Sequence, residues 1–315
     1  IRAWSASATI YGNPGTNNAA LTNAQTKVVI NEFLAHTDPP LVDYIELFNT
    51  GATSVDISGC YLSDDPATNK YRIPNGTVIG PRGFALFYQT NGFGFLMDPG
   101  GEAVYLVASN QSYVIDAIKY PAQMNAVSSG RYPDGAPGFQ MLSSRTAGTS
   151  NSVPYQSNIV INEIMFSPIS GSDDDEYVEL YNRGTGSVDM SYWRFTDGID
   201  FMMPPGTVIP SNGYVVVAKN VTNLLAKYGN LNTTNTVGDY GGKLSGSAER
   251  LVLSKPDDPA LPYQDFVTVD EVTYIDDWGQ WTDGGGSSLE LIDPRADNRL
   301  AMNWAGSDET QKAPW

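Results

Sequence analysis

The chain has one cysteine and one histidine among its 315 residues, and both scarcities exclude classes of site. With Cys60 alone, no disulfide can form within the chain and no Cys-x-x-Cys motif is present. With His36 alone, a metal site with several histidine ligands is excluded and a Ser-His-Asp triad is disfavoured. No G-x-S-x-G elbow, H-E-x-x-H motif or P-loop occurs. We therefore predict no catalytic residues and no enzymatic activity.

Basic residues and long apolar runs are also scarce. The chain has 18 Lys and Arg against 35 Asp and Glu, for a formal net charge of −17. A surface this acidic repels phosphate backbones and anionic lipids, so nucleic-acid binding is not expected. No run of ~18 apolar residues occurs, so we predict no membrane insertion.

What the sequence does contain favours a folded chain of short strands. Hydrophobic residues make up 41% of it, and 31 Gly and 20 Pro supply turns. A length of 315 residues leaves room for two domains of ordinary size.

One stretch occurs twice. Residues Asp43 to Ser58 read DYIELFNTGATSVDIS, and residues Glu176 to Ser191 read EYVELYNRGTGSVDMS, with nine of sixteen positions identical. Each copy is typical of a β-hairpin, with β-branched and aromatic residues on either side of a turn on Asn and Gly. The chain is therefore a tandem repeat.

The flanking segments repeat in the same order. The matched pairs are VVINEF (28–33) with IVINEI (159–164), IPNGTVIGPRGF (73–84) with MPPGTVIPSNGY (203–214), GEAVYLV (101–107) with AERLVLS (248–254), and VIDAIKY (114–120) with VDEVTY (269–274).

This ordered set of motifs resembles the lamin tail domain family, and the resemblance covers residues 28–150 and 159–306 as two copies. It implies an all-β chain of two tandem immunoglobulin-like β-sandwiches without enzymatic activity. We expect the first sandwich at 28–152 and the second at 158–306, joined near Ser152 to Ser157. An insertion with helical spacing, VTNLLAKYGN, predicts a short helix over 221–229 of the second copy.

The sequences of the two chain ends are typical of segments that connect domains. Residues 1–27 resemble the tail of a preceding unit or a linker, and 307–315 resemble a linker to a following region. The start at Ile1 favours a piece of a longer protein. We expect residues 1–20 to run extended along a sandwich of the same or another copy, with Trp4 at least half buried.

An acidic loop is the first candidate site. Asp173, Asp174, Asp175 and Glu176 are consecutive, and clustered carboxylates with nearby carbonyls are Ca²⁺ ligands. The spacing is not the alternating one of an EF-hand loop, so the alternative is a solvated acidic loop. No other cofactor is expected.

Three aromatic residues in polar surroundings are the second candidate site. Trp278, Trp281 and Tyr240 would form a platform on which sugar rings stack, if they are exposed together. The alternative is that the tryptophans cap the open end of the sandwich.

Two glutamate pairs and the single thiol also have two interpretations. Glu32 and Glu46 recur as Glu163 and Glu179, and paired carboxylates suit acid–base chemistry. Because the pair is present in both copies, a structural role is favoured. Cys60 aligns with Trp193, so we expect a buried core thiol.

These features together predict a structural or adhesive module of a larger extracellular or cell-surface, bacterial protein, and one that could self-assemble. Its expected partners are other domains or copies of the same protein and cell-surface polysaccharide. The alternative is a carbohydrate-binding accessory module of a secreted enzyme.

Overall fold

The computed structural model describes residues 24–90, 92–263 and 265–307. The chain divides into two compact units between Gln156 and Ser157. The expectations for residues 1–20, including Trp4, lie outside the described residues.

The first unit contains eleven strands: β1 (Val28–Leu34), β2 (Tyr44–Asn49), β3 (Val55–Asp56), β4 (Tyr61–Ser63), β5 (Tyr71–Arg72), β6 (Val78–Ile79), β7 (Phe84–Tyr88), β8 (Ala103–Val107), β9 (Val114–Lys119), β10 (Ser129–Arg131) and β11 (Phe139–Met141). A five-stranded sheet in the order β11-β10-β1-β2-β7 faces a four-stranded sheet in the order β5-β4-β8-β9, with β3 and β6 paired separately. One apolar core between the sheets holds this unit together.

The second unit contains β12 (Ile159–Met165), β13 (Tyr177–Asn182), β14 (Val188–Asp189), β15 (Arg194–Asp197), β16 (Phe201–Met202), β17 (Val208–Ile209), β18 (Tyr214–Ala218), the helix α1 (Val221–Lys227), β19 (Thr236–Gly238), β20 (Ala248–Pro256), β21 (Phe266–Ile275), β22 (Leu289–Leu291) and β23 (Trp304–Gly306). Its sheets run β19-β18-β13-β12-β22-β23 and β16-β15-β20-β21, with β14 and β17 paired separately. The chain is thus all-β with immunoglobulin-like β-sandwiches, as predicted.

Four short 3₁₀ helices, at Ala24–Lys27, Asp173–Asp175, Asp276–Trp278 and Ala301–Asn303, complete the described elements. The helix α1 occurs where its spacing predicted it. It begins after Asn220, whose side chain accepts a hydrogen bond from the Asn223 amide.

The predicted hairpin within the repeated stretch is wrong. β2 pairs with β1 and β7, whereas β3 pairs with β6. The buried Asn49 side chain explains this path, because its amide nitrogen donates to carbonyls of both the turn and the end of β6. The acceptors are Thr53 at 2.7 Å, Ile79 at 3.2 Å and Gly80 at 2.9 Å. Asn182 makes the equivalent contacts with Gly186, Ile209 and Pro210 in the second unit.

A bulge in the first strand of each unit ties the two sheets together. The pairing of β1 with β2 shifts between Ile30 and Glu32, and the amide of Ile30 instead donates to Oδ2 of Asp116 on β9 at 2.8 Å. In the second unit the Ile161 amide donates to Oδ2 of Asp270 at 2.7 Å, across the same shift. A buried N–H without an acceptor is costly, so this bond fixes the position of the second sheet.

The alignment of Cys60 with Trp193 is confirmed by the backbone. The Cys60 amide donates to Ile57, and the Trp193 amide donates to Met190, three residues earlier in each case. Cys60 is fully buried, and burial raises the pKa of its thiol to about 11. Its expected role as a core thiol is therefore confirmed.

Replacing Asn49 with alanine is expected to destabilise the first unit by about 1–3 kcal/mol, because the buried carbonyl of Ile79 and the part-buried carbonyls of Thr53 and Gly80 lose their donor. Urea unfolding of the full chain, compared with the exposed control Asn75→Ala, measures the difference. A change in the free energy of unfolding below about 0.5 kcal/mol in Asn49→Ala would show that this side chain does not hold the chain on its path from β2 to the pair of β3 and β6.

Candidate functional site

A cleft of about 460 Å³ opens on the first unit. One wall comes from the segment between β1 and β2, and the other from the segment after β11. The lining combines apolar and aromatic side chains with threonines and one cation: Leu34, Pro40, Leu41, Val42, Tyr44, Tyr88, Thr90, Arg145, Thr146, Ala147 and Thr149. The rings of Tyr44 and Tyr88 meet edge to face, with centroids 6.0 Å apart.

The glutamate pair of the first unit lies beneath the segment that walls this cleft. Glu32 and Glu46 are cross-strand partners, and both are fully buried. Glu32 accepts a hydrogen bond from the Tyr44 hydroxyl at 2.6 Å and from the Thr146 amide at 3.0 Å. Glu46 accepts one from the Gly148 amide at 2.6 Å. The two carboxylates hold residues 146–148 against the sheet, which is the structural role favoured by their recurrence.

The second unit repeats the pair with different surroundings. Glu163 accepts a hydrogen bond from the Tyr177 hydroxyl, and Glu179 accepts one from the Asn162 side chain at 3.0 Å. The strand register adds Glu290 on β22 to the same row. Counted from the matched strands β11 and β23, the positions that correspond to residues 146–148 fall after residue 307 and lie outside the described residues.

Burial raises the pKa of one glutamate in each pair. Desolvation raises the pKa of Glu46 to about 7, against the lowering effect of the Gly148 and Asn31 hydrogen bonds. Desolvation, reinforced by the neighbouring Glu163 carboxylate, raises the pKa of Glu179 to about 7 as well. A carboxyl group of this pKa is suited to general acid–base work, but at Glu46 the carboxylate oxygens already bind backbone and side-chain donors.

The acidic loop does not gather its carboxylates around a common point. Asp175 is bonded by Ser170, Asn223 and Lys227, so its charge is already neutralised. Glu176 binds a different set of partners, because its Oε2 accepts hydrogen bonds from the Tyr240 hydroxyl and the Leu244 amide, both at 2.9 Å.

The remaining two carboxylates do not complete a calcium site. Asp173 and Asp174 are exposed, and the nearest cation to Asp173 is Lys243, at 3.9 Å. Among the described residues, no group of three or more His, Cys, Asp and Glu side chains is placed to hold a metal ion. The predicted calcium site at 173–176 is therefore wrong, because the loop is fastened by its own chain.

The predicted sugar platform does not form either. Tyr240 is 2% exposed and belongs to the core of the second unit, so its ring cannot meet a ligand. Trp278 is partly buried, packs against that core and lies 6.3 Å from the ring of Trp304. Only Trp281, at 64% exposure, presents its ring to solvent. Trp278 thus follows the alternative interpretation, in which it caps the sandwich.

Sequence reasoning missed the residues that connect the motifs. Asp116 and Asp270 hold the bulged strand and were not singled out. Asn49 and Asn182 hold the path of the chain after β2 and β13, and the sequence predicts only that they lie in a turn. The available signal was the repeat itself, since each residue is polar, recurs at the same place in both copies and stands within or at the end of an apolar strand. The cleft left no such signal because its lining comes from distant loops.

These features define tandem immunoglobulin-like domains whose recurring polar residues hold the fold together. The sequence matches the Lamin Tail Domain family over residues 22–122 and 152–276, and the chain belongs to that family. No curated protein matches it.

A comparison with solved structures finds a DUF4876 family protein from Bacteroides thetaiotaomicron, at 9% identity and a TM-score of 0.30, covering 89% of this chain and 92% of that one. No helix in the described ranges is long and apolar enough to cross a membrane.

The raised pKa of Glu46 predicts a pH dependence of stability. The folded group keeps its proton up to about pH 7, whereas in the unfolded chain it ionises near its ordinary pKa of 4.5. The folded state therefore binds more protons between these values. The stabilisation is complete below pH 4.5 and is lost as the pH rises through 7.

Urea unfolding of the full chain should show that the free energy of unfolding of the first unit falls by about 2 kcal/mol between pH 4.5 and 8. In Glu46→Gln this fall should be absent. Asp174→Asn, which replaces an exposed carboxylate, should keep the wild-type slope. An equal slope in Glu46→Gln and wild type would refute the assignment.

Proposed function

We propose that the two domains are a structural or adhesive part of a larger extracellular or cell-surface protein. They hold or space other parts of that protein and perform no chemistry themselves. The observation that carries the proposal is the use made of the glutamate pair. Its carboxylates are the best placed for acid–base work in the first unit, and they bind the backbone at 146–148 instead.

The organisation of the chain supports this role. Each unit has its own apolar core, so each can bear load or contacts as a separate domain. The acidic composition keeps such a chain soluble and apart from anionic polymers. The single thiol is buried, which suits an oxidising surrounding, because the described surface offers no free sulfhydryl.

Two measurements test the proposal. Pulling the full chain in a force spectrometer should give two discrete unfolding events, one for each unit. A panel of glycoside, ester and peptide substrates should show no turnover. Activity that persists through purification and disappears in Glu32→Gln or Glu46→Gln, with the fold retained, would overturn the non-catalytic role.

The proposed extracellular or cell-surface location needs its own test. Immunodetection on intact cells of the source organism should find the chain, and external protease should remove the signal. A signal that appears only after lysis would refute the surface location.

A carbohydrate-binding accessory role is the second candidate, and the exposed ring of Trp281 favours it. Exposed tryptophan stacks on sugars through its apolar face. Affinity electrophoresis in gels that contain soluble polysaccharides would then show retardation that Trp281→Ala abolishes. Met302→Ala, which removes an even more exposed apolar side chain, is the control. Equal mobility of wild type and Trp281→Ala in all gels would eliminate this candidate.

A further inference from the structure

The two units differ at one edge of the larger sheet. In the second unit, β18 is covered by β19, which pairs with it in parallel: Val216 lies opposite Thr236 and Ala218 lies opposite Gly238. Among the strands of the described residues, the corresponding strand of the first unit, β7, is the last of its sheet. The insertion that supplies α1 and β19 has no counterpart after β7.

The register shows which backbone groups of β7 remain open. The amide of Asn49 donates to the Gly83 carbonyl at 3.0 Å, and the amide of Gln89 donates to the Asp43 carbonyl at 2.9 Å. The odd-numbered residues of β7 therefore face β2, and Phe84 and Leu86 direct their N–H and C=O groups outward. In the second unit the equivalent of Leu86 is Val216, since they pair with Glu46 and Glu179, and the Val216 amide donates to Asn235 at 2.9 Å.

The side chains do nothing to protect this edge. Natural edge strands are usually shielded by charge, proline, a bulge or shortness. β7 reads FALFY, pairs regularly along its full length, and lies in a stretch, 83–97, that contains no charged residue. The other edges of the first unit are shielded, since β5 has two residues, β11 has three, and β9 carries the exposed Lys119.

We propose that β7 is a self-association edge, along which two copies of this chain pair antiparallel. A neutral apolar edge offers nothing to a charged partner, and it fits another edge of the same kind. Pairing about a two-fold axis at Leu86 sets Leu86 opposite Leu86 of the second copy, and Phe84 opposite Tyr88. This register joins the outward backbone groups and forms aromatic cross-strand pairs.

The absence of charge along this edge matters for a chain of net charge −17. Like charges opposed across a strand pair destabilise it, and residues 83–97 bring none to the contact. The contact is independent of the proposed scaffold role, which a monomeric chain would also perform.

Sedimentation velocity of the full chain over a range of micromolar concentrations tests the proposal. The wild type should move from 34.1 kDa towards twice that mass as its concentration rises. Tyr88→Lys should weaken association by at least about tenfold, because it puts charge into both aromatic pairs. Tyr214→Lys, on the covered strand β18 and with similar exposure (45% against 42%), should associate like the wild type.

A cross-link tests the register and serves if Tyr88→Lys fails to fold. Leu86→Cys should form a disulfide-linked dimer under mild oxidation, since paired residues lie ~5.5 Å apart at Cα. Cys60 is buried and should not form a cross-link.

A wild type that is monomeric at every concentration would overturn the proposal. So would association that is unchanged in Tyr88→Lys, or a failure of Leu86→Cys to cross-link. A monomer in which the Leu86 amide exchanges slowly with solvent would show that another segment of the same chain covers the edge, and this too would overturn it.

Discussion

The architecture of both domains depends on a backbone amide that loses its partner at a bulge. Where β1 and β12 shift register, the isoleucine N–H points towards the second sheet and must find an acceptor there. Asp116 and Asp270 provide it, from strands more than 80 positions further along the chain. A carboxylate in this place is itself desolvated, and burial raises the pKa of Asp270 to about 7. The amide and the carboxylate each satisfy the other inside the sandwich, which explains why the I-N-E motif occurs together with an aspartate on β9 or β21 in both copies.

Buried carboxylates in this protein serve the fold, and this changes how the acidic residues are interpreted. Glu32, Glu46 and Glu176 accept hydrogen bonds from amides and tyrosine hydroxyls, and Asp175 is bonded by a lysine. In each case a polar group inside the chain uses the oxygen that a metal or a substrate would need. Perturbed acidity alone therefore does not identify an active site here.

Much of the fold could be predicted from the sequence, because the repeat fixed the order and number of strand motifs. The helix at 221–227 followed from spacing, and the burial of Cys60 followed from its alignment with Trp193. The hairpin failed because a turn on Asn and Gly does not reveal that the Asn49 side chain sends the next strand to β6. The site predictions failed for a related reason. Whether Tyr240 or Asp175 is available depends on Glu176 and Asn223, which lie 64 and 48 positions away, and local composition carries no information about them.

The segment after β11, which Glu32 and Glu46 bind, also determines where the first domain ends as a folding unit. The family match stops at residue 122, before β10, β11 and residues 146–148. A polypeptide cut there would keep the recognisable motifs, yet it would lose two of the five strands of its larger sheet and leave Glu32 and Glu46 without their amide donors. During synthesis this domain completes its folding late, because β11 and residues 146–148, which bind Glu32 and Glu46, must first emerge from the ribosome. The segment that the family match covers is therefore shorter than the segment that must be present for the domain to fold.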